Sequence, residues 1–207
     1  MKLYTYTNAP NPRRVSLFLA EKGLEIPVVE VNLRIMEHKK PDFLVKNPRA
    51  KVPVLELDDG SFISETLAIC RYLEALHPEP SLFGDTPKKI GEIEMNNRIL
   101  EFDFYQPLGV AWRNGPVVKK VYGEMKQIPE AREQAEEQVK AFYERFDAML
   151  KEREYVAGDY FSMADIIALT TIDFATTLVE LKPDAGLKHL WAWYERVNQR
   201  PAITPLS

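Results

Sequence analysis

Alternating apolar and polar positions in the first third of the chain predict short β-strands joined by helices. Residues 2–7 (KLYTYT) alternate and contain β-favouring Tyr and Thr, and residues 27–33 (PVVEVNL) form a second β-rich run. Residues 13–22 lie between them and have a helical pattern that Gly23 is expected to end. A strand, a tight turn, a second strand and a helix follow within residues 49–76. This β-α-β and β-β-α order predicts a sheet whose first two strands are parallel across a helical crossover.

The second half of the chain has helical periodicity and no further β pattern from residue 86 onward. The predicted helices span residues 88–110, 129–153, 162–181 and 187–198. Gly109 and Asn114-Gly115-Pro116 are expected to kink or interrupt the first of them. Ser162 and Asp165 have the spacing of a capping box at the start of the third. The second half is therefore expected to be all-helical.

Prolines mark the boundary between the two halves. Pro78 and Pro80 are expected to stop the preceding helix and to stiffen the chain, which predicts a linker. We therefore expect one domain at residues 1–77, a linker at residues 78–86 and a second domain at residues 87–207.

Composition and charge exclude several classes of function. The 207 residues carry a net charge of −4, which gives no electrostatic case for binding nucleic acid or an anionic membrane. A single cysteine, Cys70, excludes an internal disulfide framework and a CxxC redox motif, and three scattered histidines lack metal-ligand spacing. We expect no metal site. No stretch approaches the roughly 20 apolar residues of a membrane span and no signal peptide is recognisable, so the cytoplasm is the expected location.

The unit at residues 49–76 carries candidate ligand contacts. Pro53 removes a hydrogen-bond donor from a strand-like run, which leaves the main chain of Val52 able to pair with another molecule. Glu65 and Thr66 stand where the next helix starts, a suitable site for a charged ligand group. This arrangement closely resembles the glutathione-binding half of the cytosolic glutathione transferases. In that family a cis Val-Pro pair binds the cysteinyl unit of glutathione, and an acidic-hydroxyl pair holds its γ-glutamyl end.

The resemblance extends over nearly the whole chain, because the linker and a helical half with a capping box also match the family. It implies an α/β thioredoxin-like N-terminal domain (βαβ-ββα) plus an all-α C-terminal domain. It also implies attack of the glutathione thiolate on a small hydrophobic electrophile, a detoxification reaction with glutathione as co-substrate and no cofactor. A homodimer is expected, in which the hairpin-helix half of one subunit packs on the helical half of the other.

The loop before the first helix is where the chain departs from its family. Ala9 occupies the position at which several classes carry a thiol-activating Ser or Cys. Residues 9–15 (APNPRRV) resemble the Thr-Pro-Asn-Gly motif of bacterial nu-type and yeast prion-like transferases, in which both Thr and Asn contact the sulfur. Only Asn11 matches, so it is the first candidate to hold the thiolate, although it is also well placed as the helix N-cap. Tyr6 is the second candidate, and its alternative is to face the core together with Tyr4.

Further residues are candidates for contacts with either substrate. In theta-like members a His contacts the glycine carboxylate of glutathione, and His38 has the same spacing before Pro53 as that residue. Lys51 could make the same contact. Arg13 and Arg14 fall in the first helical turn, where the dipole disfavours cations, and this indicates either nearby anions or a solvated surface. Thr7 and Asn8 follow Asn11 and Tyr6 as thiol contacts, and the candidates for the electrophile pocket are Phe104, Tyr105, Trp112 and Arg113.

Two other functions remain open at this point. The nu-like loop is compatible with a glutathione-dependent disulfide or peroxide reductase, in which glutathione's own sulfur would do the chemistry because Cys70 is the only thiol of the chain. Ala9 is compatible with a non-catalytic protein that binds glutathione or a hydrophobic ligand without efficient thiolate activation.

Overall fold

A computed structural model describes residues 1–7, 9–122 and 125–204 of the chain. Within these ranges the chain forms two compact units, Met1–Ser81 and a second that begins at Leu82. The first unit contains a four-stranded sheet and the second is built from helices, which confirms the predicted fold class. None of the helices in the described ranges is long and apolar enough to cross a bilayer.

The sheet of the first unit has the mixed topology that the sequence predicts. Its strands are Lys2–Thr5 (β1), Val28–Glu30 (β2), Val54–Glu56 (β3) and Phe62–Ser64 (β4), in the order β2-β1-β3-β4. β1 and β2 are parallel across helix α1, Pro10–Glu21, while β3 is antiparallel to both of its neighbours. β1 ends at Thr5, earlier than predicted, because the chain turns there and the Tyr6 carbonyl accepts a hydrogen bond from the Ala9 N–H at 3.0 Å.

Two layers of apolar side chains hold the first unit together. Helix α1 packs against helix α3, Thr66–Leu76, and their fully buried side chains include Leu17, Phe18, Ile69 and Leu73. A separate cluster joins Val31 and Val54 of the sheet region to Phe43 of the short helix α2, Pro41–Leu44. Because α2 is only one turn long, the packing of Phe43 rather than helix propensity stabilises this segment.

The second unit contains six helices within the described ranges. They are Pro87–Ile99 (α4), Gln106–Arg113 (α5), Pro116–Tyr122 (α6), Pro129–Leu150 (α7), Met163–Phe174 (α8) and Lys188–Asn198 (α9). Two π-helical segments, Leu100–Tyr105 and Ala175–Val179, continue α4 and α8. The interruption predicted at Gly109 is wrong, because Gly109 lies inside α5, but the one predicted at Asn114-Gly115-Pro116 is confirmed, because α5 ends at Arg113 and α6 begins at Pro116. A further irregularity, the π-helical segment Leu100–Tyr105, lies before α5. Helix α6 was not predicted, because Pro116 favours a break but also fits a first helical turn.

Helix α8 is the buried centre of the second unit, and its first turn confirms the predicted capping box. Asp165 is fully buried and its carboxylate accepts hydrogen bonds from the N–H groups of Val156 and Ser162 at 2.9 Å, and from the Trp193 indole at 2.8 Å. Burial raises the pKa of Asp165 to about 6, although these hydrogen bonds act in the opposite direction. One carboxylate therefore connects α8, the segment before it and α9.

Candidate functional site

The first helix starts earlier than the sequence indicates, and this changes the position of Asn11. Ala9 is the N-cap and Pro10 is the first helical residue, so the expectation that Asn11 caps the helix is wrong. Proline fits this position because its fixed φ is helical and its missing N–H would be unpaired there anyway. Since Pro10 and Pro12 have no N–H, Asn11 carries the only main-chain N–H of residues 10–12. Asn11 therefore brings amide groups of both main chain and side chain to the positive end of the helix dipole.

The tyrosines near the end of β1 have different surroundings. The Tyr4 hydroxyl donates to Glu56 at 2.6 Å, and this hydrogen bond, with burial and the carboxylate charge, raises the pKa of Tyr4 to about 12. Tyr6 lies beyond the strand and is half-buried, so strand alternation does not pair it with Tyr4. Thr7 is bound to Glu30 through its N–H at 3.3 Å and its hydroxyl at 3.2 Å. Asn8 lies outside the described residues.

The segment before β3 presents an unpaired main chain. The Val52–Pro53 peptide is cis, and the ladder between β3 and β4 begins only at Val54. In the part of the chain that the structure describes, the main chain of Val52 makes no hydrogen bond to another residue. A peptide-like ligand could therefore use the N–H and C=O of Val52 as an extension of the sheet edge.

The start of α3 places two polar side chains beside this segment. Glu65 is the N-cap residue and has φ 72° and ψ 124°, a backbone conformation that costs free energy for any residue other than glycine. Its carboxylate forms an exposed ion pair with Arg49, with 2.9 Å between Nη1 and Oε1. Thr66 is the first helical residue and is buried. Strained backbone at a helix N-terminus is typical of binding sites, because only surrounding structure can hold it.

His38 and Lys51 are brought close enough to interact electrostatically. His38 lies in a single 3-10 turn, Glu37–Lys39, and its pKa is lowered first by burial and then by the charges of Lys39 and Lys51. Its Nδ1 atom is buried and has no hydrogen-bond partner among the described residues. An imidazole beside an ammonium group suits recognition of a carboxylate.

The four electrophile candidates of the second unit do not share one environment. The ring of Phe104 is fully buried and stacks on Phe142 at 4.6 Å, so it belongs to the core, where direct contact with a substrate is not favoured. Tyr105 and Trp112 are half-buried, and both rings lie near Phe174, at 6.3 and 6.0 Å between ring centroids. Arg113 ends α5 and is exposed. Sequence reasoning missed Phe174, since an aromatic residue at the end of a largely buried helix has the pattern of an ordinary core residue.

The two arginines of α1 differ in exposure. Arg14 is only 3% exposed, so a solvated surface is wrong for this residue, while Arg13 is half-buried. Arg14 lies close enough to Cys70 for its charge to favour the thiolate, but burial dominates and raises the pKa of Cys70. Lys22 is also buried, and its ammonium contacts a carboxylate oxygen of Glu74 at 2.5 Å. A buried network of charges therefore lies between α1 and α3.

Asn47 is a second residue that the sequence did not single out. It is 2% exposed and hydrogen-bonds the main chain of the segment that leads to Val52. Within the described ranges, no group of three or more His, Cys, Asp or Glu side chains could hold a metal ion.

Comparison with known proteins gives full-length matches. A family model described as "Glutathione S-transferase, N-terminal domain" matches residues 9–76, and one described as "Glutathione S-transferase, C-terminal domain" matches residues 112–201. Glutathione S-transferase 2 of Saccharomyces cerevisiae is 40% identical over 213 aligned residues, covering 100% of this chain and 89% of the relative.

Solved structures agree with this sequence similarity. The crystal structure of Gtt2 from Saccharomyces cerevisiae has a TM-score of 0.92 at 39% identity and covers 100% of both chains. A glutathione S-transferase of class Gtt2 from Vibrio parahaemolyticus has a TM-score of 0.87 at 33% identity, covering 100% of this chain and 96% of that one. A bacterial origin and the nu-like and theta-like character of the first loop stay predictions. The two domain matches, the identity over the full length and the shared fold show that this chain belongs to the glutathione S-transferase family.

Proposed function

We propose that this transferase conjugates glutathione to a small hydrophobic electrophile. The thiolate sulfur forms a carbon–sulfur bond while the attacked carbon loses its leaving group or, in an addition, its π bond, whose other atom then takes up a proton. The observation that carries the proposal is the register of the β3–β4 ladder. Val54, the first residue of β3, pairs with Ser64, the last residue of β4, so Val52–Pro53 and Glu65–Thr66 adjoin the ladder at the same end of the sheet. A tripeptide that pairs with the main chain of Val52 can therefore reach Thr66 and the neighbouring Glu65 with its γ-glutamyl end.

Each polar group of glutathione then has a proposed partner. The Glu65 carboxylate and Thr66 hydroxyl bind the ammonium and carboxylate of the γ-glutamyl unit. The main chain of Val52 binds the cysteinyl unit, and the cis Pro53 leads the chain from Val52 into β3. His38 and Lys51 bind the glycine carboxylate, which is supported by the electrostatic proximity of the two side chains. These are the residues at which substitution is expected to weaken glutathione binding.

Thiolate stabilisation is assigned to Asn11, with Tyr6 as the second candidate. A free thiol has a pKa of about 8.5, and each unit of lowering requires about 1.4 kcal/mol of preferential interaction with the thiolate. The amide groups of Asn11 at the N-terminus of α1 are suited to this task because hydrogen bonds to the charged form lower the pKa of a thiol.

The ultraviolet thiolate absorbance of bound glutathione, measured across pH, tests the proposal. A titration no lower than that of free glutathione would contradict thiolate activation and favour a non-catalytic binding protein.

Two variants separate the candidate residues. Asn11→Ala is expected to raise the pKa of the bound thiol by about one unit and to lower turnover, because one hydrogen bond to the sulfur is lost. Tyr4→Phe is the matched control, since the Tyr4 hydroxyl is engaged by Glu56 and should leave the titration unchanged. An unchanged titration in Asn11→Ala, together with a raised one in Tyr6→Phe, would transfer the role to Tyr6.

The electrophile is proposed to contact the half-buried rings of Tyr105 and Trp112, with Arg113 at the exposed end of α5 and Phe104 supporting them from the core. Trp112→Ala is expected to raise KM for an aromatic electrophile without changing the affinity for glutathione.

Rates with a chloro-dinitrobenzene against a hydroxyethyl disulfide distinguish conjugation from the alternative reductase activity. Glutathione is proposed to be the only co-substrate, with no bound cofactor.

A homodimer is proposed from an exposed apolar stripe in the second unit. Met95, Ile99 and Phe102 lie three and four residues apart and are 50%, 42% and 53% exposed. A stripe of this kind is typical of a protein–protein interface, since isolated chains rarely expose adjacent large apolar side chains. Light scattering is expected to give the mass of a dimer, and Phe102→Glu is expected to shift it towards the monomer. A wild-type monomer at micromolar concentration would refute the dimer.

We also propose a cytoplasmic location and a role in detoxification. The cytoplasm keeps thiols reduced through its glutathione pool, which suits an enzyme that consumes glutathione and carries one buried thiol. Fractionation of cells that produce the protein tests the location. Sensitivity of a strain without the protein to electrophiles tests the role.

A further inference from the structure

Asn47 is a buried amide that spans the segment leading to Val52. Its Nδ2 group donates to the Lys51 carbonyl at 2.8 Å, and its Oδ1 atom accepts from the Arg49 N–H at 3.0 Å. Its own carbonyl accepts from the Ala50 N–H at 2.9 Å. With 2% exposure the side chain is shielded from water, so these hydrogen bonds have no solvent competitor. Asn47 therefore fixes three successive residues of this loop.

The loop needs such support because its backbone is not in a locally preferred conformation. Ala50 has φ 52°, in the left-handed region that costs about 1 kcal/mol or more for a residue with a Cβ atom. The flanking residues are those with proposed ligand roles or ligand-site contacts. Arg49 pairs with Glu65, and Lys51 influences His38. A shift of this loop would therefore move several groups of the site together.

The hydrogen bond to the Lys51 carbonyl has a specific consequence for Val52. The peptide between Lys51 and Val52 is trans, since the cis bonds of the described residues are Val52–Pro53 and Glu79–Pro80. In a planar trans peptide the C=O and the following N–H point in opposite directions. By holding the Lys51 carbonyl, Asn47 therefore sets the direction of the Val52 N–H, which points away from Asn47.

We propose that Asn47 is a positioning residue for glutathione: it aims the Val52 N–H at the cysteinyl unit without touching the ligand. This inference rests on the proposed function, in which Val52 pairs with glutathione. Its removal should weaken binding of the tripeptide and leave the chemical step intact, because the sulfur contacts lie on α1. A purely structural role would instead lower stability and all kinetic constants together.

Calorimetric binding of S-methylglutathione tests this role, because this probe occupies the glutathione site without reacting. Asn47→Asp keeps the acceptor for the Arg49 N–H but places a carboxylate oxygen against the Lys51 carbonyl oxygen. Asn47→Ala removes both side-chain hydrogen bonds. Each is expected to raise Kd about three- to tenfold, as expected for the loss of one or two hydrogen bonds. At saturating glutathione kcat is expected to stay within about twofold, with KM for the electrophile unchanged.

Asn96→Ala is the matched control. Asn96 is 4% exposed and donates to the Glu92 carbonyl at 2.7 Å, so it is another buried asparagine with a side-chain bond to the main chain, but it lies in α4. Its Kd for S-methylglutathione is expected to equal that of the wild type even if its Tm falls. An unchanged Kd in both Asn47 variants would overturn the inference. It would also be overturned if Asn96→Ala lost as much affinity for S-methylglutathione as the Asn47 variants at the same decrease in Tm. Failure of the wild-type protein to bind S-methylglutathione would instead refute the proposed function itself.

Discussion

Substitution of Asp165 by alanine should be the most damaging single change in the second unit. The variant removes the acceptor of four hydrogen bonds, of which three come from buried N–H groups on Val156, Ser162 and Trp193. Each buried donor left without a partner costs about 1–3 kcal/mol. Removal of a carboxylate that burial disfavours offsets part of this, because its pKa is raised to about 6. We therefore expect a loss of about 3–6 kcal/mol at neutral pH, a large part of the stability of a typical domain.

Urea unfolding followed by tryptophan fluorescence measures this loss, at one fixed protein concentration because a dimer would make stability depend on concentration. Asp147→Ala is the matched control, since that carboxylate is at a partly buried site and accepts from the Leu190 N–H at 2.8 Å. The control is expected to lose about 1 kcal/mol. If Asp165→Ala loses no more unfolding free energy than Asp147→Ala, the conclusion that one carboxylate connects three segments is wrong.

Three further predictions concern the titration of Asp165, the backbone at Ala50 and the ion pair of Lys22 with Glu74. Because the pKa of Asp165 is raised in the folded state, the folded protein binds a proton more tightly than the unfolded chain does. The wild type should therefore lose up to about 3 kcal/mol of unfolding free energy, relative to Asp165→Asn, as pH rises from about 4 to 6. Urea unfolding across pH measures this loss. Ala50→Gly should raise stability by about 0.5–1 kcal/mol, since glycine adopts a positive φ without a Cβ clash, and an unchanged or lower Tm would contradict this. Lys22→Met should cost about 3 kcal/mol because it removes a buried cation from Glu74, and joint replacement of Glu74 by leucine should recover most of that loss in the same assay.

The sequence was sufficient for the order of strands and helices but not for the details of the first loop. Alternation and turn residues predict the sheet, because one buried face imposes a period of two on a strand. The sequence pattern predicts too late a start for α1, since a proline can end one helix or begin another, and Pro10 begins this one. The burial of Arg14 could not be predicted, because it depends on how α3 packs against α1 rather than on local pattern.

The candidate site was predictable where it consists of neighbours along the chain and unpredictable where it depends on folding. Val52 and Glu65 follow from proline and helix-start signals within one hairpin unit. The supporting role of Asn47 has no such signal, since a buried asparagine and a turn asparagine look alike in sequence. Phe174 shows the same limit, because its neighbours in the structure come from α5 and the segment before it.

The π-helical segment Leu100–Tyr105 holds one extra residue without turning the side chains that follow it. A π-helical turn contains one residue more than the α-helical turn it replaces, and one residue corresponds to a rotation of about 100° along a helix. Because the π-helical turn absorbs that residue, loss of a single residue between Leu100 and Tyr105 would restore an ordinary helix and leave Trp112 beside Phe174. The π-helical segment therefore lets α5 keep its face towards Phe174 although the chain before it carries one residue more than an α-helix would.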